Sequence, residues 1–398
     1  MSKDRPWRPA TILTHVGPSG TPPPTRTVSP PIQRGSTVLM PDAASLYASD
    51  QPTYGMNSHA VHEALVEGLK ALEHAGHAEL FTSGLSAVTG ALSAVVGAGD
   101  EVLVVDTVYG PTRRFCDGYL KRMAAPVRYF PAAATAGEIL ALATPRTRLI
   151  FLESPGSQTF EMQDVPAIAA AAKARGILTA VDNTWASGLL FRPVEHGVSL
   201  SIQALTKYVC GHSDVFLGSV ATNDPDVARQ LTAFVRDTGA SVSPDDAFQG
   251  LRGLRTLEVR LKRHGESGLE VAEWLAGQPQ VARVLHPALP GDPGHGIWKR
   301  DFTGAAGLFG AVLKPAPRAA VEAFLNRLQL FGLGFSWGGY ESLAIHCDPQ
   351  IRRSCGPSHL EGPLIRLNIG LEDPQDLIAD LRQALDALPS PFGGDGSR

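Results

Sequence analysis

The sequence predicts an α/β protein: a large, doubly wound, mostly parallel sheet domain followed by a smaller α+β domain. Three observations carry that expectation. From about residue 61 to 250, short apolar runs alternate with helical patterns. The apolar runs are continuous, not alternating, as strands covered on both faces are. Near the end of this stretch two strands follow each other without a helix between them, so they are expected to pair antiparallel.

The elements read in order. HEALVEGLKALEHA has helical periodicity, AELFTSG is a short strand and LSAVTGALSAVVGAG an Ala-rich helix. EVLVVD is a strand, PTRRFCDGYLKRM a helix with Pro in its first turn, and VRYF a strand. RLIFLES is a strand, DVPAIAAAAKARG a helix ended by Gly, and LTAVD a strand. SIQAL and FLGSVAT are the two strands expected to be antiparallel neighbours. A long helical stretch, DDAFQGLRGLRTLEVRLKRHGESGLEVAEWLAG, leads into the second domain. That domain reads as strands VARVLHP and AGLFGAVL, helix AVEAFLNRL, strands SLAIHC and LIRLNIG, and closing helix DPQDLIADLRQALDAL. The Pro-rich run TPPPTRTVSPP makes neither helix nor central strand, so the start of the chain is expected to be an extended arm. The expected division is an arm at 1–60, a cofactor domain at 61–255 and an α+β domain at 256–398.

Composition excludes several classes. The 398 residues suffice for two domains, and 43% hydrophobic content fills sizeable cores. The net charge of −4 is spread along the chain, with no basic stripe for nucleic acid. No apolar run approaches the roughly 18 residues of a membrane span, and the amino end lacks the apolar core of an export signal. Cys116, Cys210, Cys347 and Cys355 have no metal-ligand spacing, which leads to an expectation of reduced thiols in a cytoplasmic protein and no metal. Cys210, three residues after Lys207, reads as a small packed thiol, with a place lining the site as the alternative.

Two runs carry the chemistry. In VDNTWASG, Asp182 stands at the carboxyl end of an apolar strand; in SIQALTKYVCGHSD, Lys207 stands just past another. In open α/β sheets ligands bind at that end of the strands. A lone strand-end Lys is ordinarily solvated, and a lone Asp there is ordinarily a turn former. Together they suit pyridoxal phosphate: the amine condenses with the aldehyde, and the carboxylate keeps the pyridine nitrogen protonated. In FTSGLSAV, Ser83, Gly84 and Leu85 offer backbone N–H groups at a helix start, a natural anion site. Thr206 adds a hydroxyl beside Lys207, and Tyr109, in VVDTVYGP, sits where a ring can stack on a pyridine face. Asn183 is placed to orient its neighbours. Arg366 lies on the apolar strand LIRLNIG, where a charge must be paired or exposed, and its fork suits a carboxylate.

These runs, with FLESPGS and SWGGYESL, closely resemble the Cys/Met-metabolism family of pyridoxal-phosphate enzymes, of the transferase-like fold type I. The resemblance covers roughly residues 30 to 387. It implies that the amides of Gly84 and Leu85 hold the phosphate, that Lys207 is the cofactor lysine and proton shuttle, and that Tyr109 acts near the Cα proton. It further implies that Arg366, with the backbone of Ser336, grips the substrate carboxylate. Trp337 is typical of the family's β-acting members. Tyr54 is implied to reach a neighbouring subunit's phosphate, so a homo-oligomer is expected, at least a dimer, with tetramers common in the family. The sequence departs from the family at YGMNSHAV. Met56 stands where Arg is usual, and SHAV replaces GTPT, which weakens the expected phosphate clamp; Asn57 or His59 are the candidates to compensate. The activity implied is β-elimination of L-cystathionine to homocysteine, pyruvate and ammonia, a carbon–sulfur lyase of methionine biosynthesis. A lyase for another cysteine S-conjugate, a γ-acting enzyme, or a retired binding protein on the same fold remain alternatives.

Overall fold

The computed structural model describes residues 8–17, 27–47, 53–56, 58–358 and 360–389. Asn57 and the Pro-rich run through Arg26 lie outside them. The chain divides into two compact units, each drawn from two stretches: Met1–Gly97 with Ala180–Glu258, and Ala98–Thr179 with Val259–Arg398.

In chain order, α1 (Pro9–Thr14) and α2 (Ala60–Glu73) precede β1 (His77–Phe81) and α3 (Gly84–Val95). There follow β2 (Glu101–Val105), α4 (Gly110–Phe115), β3 (Val127–Phe130), α5 (Ala136–Leu142), β4 (Thr147–Glu153) and α6 (Val165–Lys173). Next come β5 (Leu178–Asp182), β6 (Leu200–Gln203), β7 (Gly218–Thr222), α7 (Pro225–Thr238), α8 (Pro244–Arg255) and α9 (Leu257–Ala276). The remainder is β8 (Val281–Leu285), α10 (His295–Asp301), β9 (Leu308–Leu313), α11 (Arg318–Arg327), β10 (Gly332–Leu333), β11 (Leu343–His346), β12 (Leu364–Asn368) and α12 (Pro374–Leu385).

Strands β1 to β7 make the larger sheet, and β8 to β12 the smaller one. In the first unit the order is β1-β7-β6-β5. β5 and β6 are parallel, while β7 is antiparallel to both β6 and β1. The helix-free step from SIQAL to FLGSVAT therefore produces the antiparallel pair its brevity demands. Helix α2 buries Val61, Leu65, Leu69 and Leu72, the i, i+4 stripe read in the sequence, and packs on α8.

In the second unit β2 lies parallel to both β3 and β4. The smaller sheet runs β10-β11-β12-β9-β8, antiparallel except for β10 with β11. Its core gathers Phe309, Ile365 and Leu367 from strands, Val271 and Leu275 from α9, Phe324 from α11, and Leu377 and Leu381 from α12. Burying each such side chain is worth about 1.5–3 kcal/mol, enough to hold the sheet on its helices.

The structure adds elements that strand–helix alternation does not require. Helix α7 starts at Asp224, whose carboxylate accepts from the N–H groups of Asp226 and Val227, with Pro225 in its first turn. Helix α5 starts in a reciprocal box between Thr135 and Glu138. The helix expected over PTRRFCDGYLKRM is α-helical only to Phe115 and continues as a π-helical turn over Cys116–Leu120. Among the described residues no helix is long and apolar enough to cross a membrane.

Candidate active site

The first unit brings Lys207, Asp182, Thr206, Gly84 and Leu85 onto neighbouring elements. β1 ends at Phe81, and Ser83 caps α3: its Oγ accepts from Ser86 N at 3.0 Å, while Ser86 Oγ accepts from Ser83 N at 2.8 Å. Gly84 and Leu85 then occupy the first helical positions, whose N–H groups have no carbonyl within the helix. A Cβ on Gly84 would sit 2.2 Å from the Cβ of Ala204, so only glycine lets the helix start this close to the turn carrying Lys207. That turn is tightly wound. Lys207 N donates to Ala204 O at 3.1 Å, Gly211 N to Lys207 O at 2.8 Å, and buried Tyr208 pins it to the core. The Thr206 hydroxyl is engaged with the backbone, accepting from Leu217 N at 2.8 Å and donating to Leu217 O at 3.2 Å.

Asp182 closes β5, paired with Ile202 of β6. Its Oδ1 accepts from the Thr184 N–H at 3.1 Å and hydroxyl at 2.5 Å. Thr184 Oγ1 in turn accepts from Ala204 N at 2.9 Å, which ties the carboxylate to the turn holding Lys207. Burial pushes the Asp182 carboxyl above the usual carboxylate range, opposed by the two Thr184 bonds and the Lys207 charge. Tyr54, exposed, pairs its backbone with Thr37, and Met56 is exposed nearby, its carbonyl accepting from Ser241 Oγ at 3.4 Å. Cys210 is buried, as a packed thiol is.

The second unit holds Tyr109, Arg366, Ser336 and Trp337. Tyr109 stands where α4 begins, and its N–H donates to Glu153 Oε2 at 2.7 Å; Glu153 Oε1 accepts from Ser157 Oγ at 2.5 Å. The β2 end leading to it is clamped. Asp106 accepts from Arg113 Nη2 at 2.6 Å, from Ser354 N at 2.8 Å and from Cys355 N at 2.8 Å, and Arg113 lies 3.9 Å over the Tyr129 ring. Arg366 sits mid-strand on β12 opposite Ile345 and Gly310, only 9% exposed. Its Nη2 donates to Ser336 O at 2.9 Å, and no carboxylate pairs with it among the described residues. Burial pulls its pKa down, while Cys347 and Tyr109 act electrostatically to raise it. The loop is held by Gly338 N donating to Asn368 Oδ1 at 3.0 Å; Ser336 takes φ +83°, and Trp337 is half-buried.

Thr184 and Glu153 were not singled out by sequence reasoning. Thr184 has a readable sign, since D-x-T after a strand favours an Asx-type turn. Glu153 has none for its bond to Tyr109, which is 44 positions away.

Three features of the first unit fit pyridoxal 5'-phosphate. A half-buried carboxylate with a raised pKa lacks a full countercharge, which a pyridinium N–H would supply. A helix start presents unpaired donors to a phosphate. A lysine amine stands within electrostatic reach of that carboxylate. On an α/β sheet this donor set defines a pyridoxal-phosphate enzyme.

The chain belongs to the Cys/Met metabolism PLP-dependent enzymes, whose family model matches residues 10–386. It is 48% identical to a putative cystathionine beta-lyase of Rhizobium johnstonii, over 90% of this chain and 91% of that one. It is 42% identical to the cystathionine beta-lyase of Bordetella avium, over 94% of this chain and 97% of that one. The crystal structure of metB from Corynebacterium glutamicum superposes with a TM-score of 0.89 at 30% identity, covering 96% of this chain and 98% of that one. The transferase-like fold expected from the sequence is therefore the fold observed.

Proposed function

We propose that the protein is a carbon–sulfur lyase that splits L-cystathionine by β-elimination, with water consumed and homocysteine, pyruvate and ammonia released. The observation that carries the reading is Arg366, a buried guanidinium with no carboxylate paired to it among the described residues, in electrostatic reach of Tyr109. Such a group is a receptor for the carboxylate of an amino acid. The names borne by the relatives from Rhizobium and Bordetella favour the β-acting reaction.

Gly84 and Leu85 would hold the cofactor phosphate, Lys207 its aldehyde carbon and Asp182 its ring nitrogen. When bound, the cofactor supplies an electron sink that lets the substrate Cα proton leave. The residues do the rest. Arg366 binds the α-carboxylate, and the Ser336 carbonyl fixes the plane of its fork. Asp182 keeps a proton on the pyridine nitrogen. Lys207 Nζ takes the Cα proton and returns one to the departing thiolate. Tyr109 offers a ring and hydroxyl at the strand end. Thr206, its hydroxyl held by Leu217, supports the lysine turn.

The protein works as a cytoplasmic homo-oligomer in this reading. The exposed side chains of Leu39, Tyr47, Tyr54 and Met56 give the arm apolar surface to place on a second copy. Incubating purified protein with L-cystathionine tests the activity. Pyruvate in step with free homocysteine supports the proposal; 2-oxobutyrate with cysteine would make it a γ-acting enzyme instead.

A further inference from the structure

Glu73, the last residue of α2, is 1% exposed and lies in the interior of the first unit. Its Oε1 accepts from Ser201 Oγ at 3.0 Å and from Gln203 Nε2, both on β6. Its Oε2 is buried and has no partner. Asn183 stands within hydrogen-bonding reach of the same carboxyl, and its Oδ1 is likewise buried without a partner. The Asn183 amide cannot simply be turned over. Its Nδ2 donates to the Phe191 carbonyl at 2.9 Å, and a turned amide would set oxygen against oxygen there. Glu73 Oε2 and Asn183 Oδ1 are thus both buried acceptors without a partner among the described residues, which is costly, and one proton on Oε2 shared with Oδ1 would remove both deficits.

We propose that Glu73 is a neutral carboxylic acid whose Oε2–H donates to Asn183 Oδ1, making it a positioning residue for the turn that presents Asp182. The proton completes a closed set: Ser201 and Gln203 donate to Oε1, Oε2 donates to Asn183, and Asn183 donates to Phe191. Asn183 follows Asp182 directly, and its N–H is fixed on Ile202 O at 2.8 Å, so its side chain and backbone anchor the turn at both ends. Gly188 completes the fit. It holds φ +67°, and a Cβ there would come within 3.0 Å of Glu73 Cδ. The charged group acting on the carboxyl is Arg192, from the segment after the turn; its guanidinium is shared with Leu72 O and Glu195. β6 presents only Ser201 and Gln203 to it. Burial raises the Glu73 pKa from 4.5 to about 7, against the smaller pull of Gln203, Ser201, Arg192 and Asn183. An acid with a raised folded pKa loses stability as pH rises from about 4.5 to about 7, and the loss is complete above that. The proposal rests on the reading of Asp182 as the pyridine partner only for its functional meaning; the protonation itself does not.

The test compares holoenzyme with Glu73→Gln and Glu73→Ala. Gln reproduces every bond of the protonated acid, with its amide donating to Asn183. The infrared difference spectrum, wild type minus E73Q, should show the carbonyl band of a protonated carboxylic acid at pH 6, fading toward pH 8. E73Q should match the wild-type Tm near pH 5 and exceed it by about 2 °C or more at pH 8. E73A should melt lower than both near pH 5 and lose cofactor several-fold faster on dialysis, with E73Q restoring retention. Absence of the acid band overturns the proposal. So does an E73Q variant that fails to fold, or that loses as much Tm as E73A with no pH dependence. Retention equal in E73A and wild type leaves no positioning role and overturns that half. The infrared and melting readouts do not depend on whether Asp182 contacts the ring; retention does, and Asp182→Asn tests that contact separately.

Discussion

Arg366 Nη2 donates to the carbonyl oxygen of Ser336 at 2.9 Å, and Ser336 reaches that position with φ +83°. A left-handed serine is strained, and the guanidinium bond is what the strain supports. One arm of the fork is thus committed to the protein, which fixes the direction of the remaining donors.

Replacing Arg366 with Gln should raise KM for the amino-acid substrate about 10- to 150-fold, the worth of a charge-assisted bond of about 1.5–3 kcal/mol. Cofactor retention should be unchanged. Thermal stability without substrate should hold or rise, because a buried cation with no counter-ion among the described residues is removed. Steady-state kinetics and a melting curve on the same preparation decide it; a large fall in Tm would make Arg366 mainly structural.

Lys207→Ala should end turnover, and borohydride treatment should no longer fix the cofactor covalently to the chain. Mass spectrometry of the treated protein is the check. A retained adduct would move the assignment to another lysine.

Asp182→Asn should lower turnover far more than cofactor occupancy. Thr184→Val should act in the same direction and cost about 1–3 kcal/mol of stability, because Ala204 N–H loses its acceptor. Losing the hydroxyl bond to the ionised form, while the backbone N–H bond is kept, should also raise the Asp182 pKa further. A pH titration of the cofactor's visible absorption reads this shift. An unmoved titration in Thr184→Val would remove Thr184 from the argument.

Asp106→Asn should cost about 3–5 kcal/mol at neutral pH, the usual result of breaking one side of a buried pair. Burial pushes the Asp106 carboxyl up, but the Cys355 and Ser354 amides and Arg113 together hold it below the ordinary range. A lowered carboxylate pKa adds stability that is present above the unfolded value, near 4, and is lost as pH falls through the folded one. Wild type should therefore lose stability more steeply than Asp106→Asn below about pH 4. Parallel acid-unfolding curves would contradict the clamp.

Much of this was legible because the chemistry sits in local runs. Lys207, Asp182 and the Gly84 helix start each declare themselves by an apolar strand followed by a small polar turn. The order of strands around SIQAL and FLGSVAT follows from the missing helix. Arg366 was visible as a charge in an apolar strand, although its bond to Ser336 needs the fold to bring the two segments together. What escaped is of two kinds. Helices α5 and α7 carry plain capping signs at Thr135 and Asp224, but their polar faces break the apolar alternation. Glu73 and Glu153 end a helix and a strand with ordinary acidic residues, and the partners that matter to the site lie far along the chain: Gln203 is 130 positions from Glu73 and Tyr109 is 44 from Glu153. No spacing rule reaches that distance.

A cation kept nearly dry, and without an anion of its own among the described residues, does not distinguish strictly among carboxylates. In the proposed reaction pyruvate and homocysteine both leave with a carboxylate, and buffers such as acetate or citrate bring more. On the proposed reading, Arg366 should make the enzyme subject to inhibition by its own products and by the assay medium. Initial rates should fall as carboxylate buffer replaces a zwitterionic one at constant ionic strength. In the cell, throughput would depend on how fast the next reactions clear the two acids.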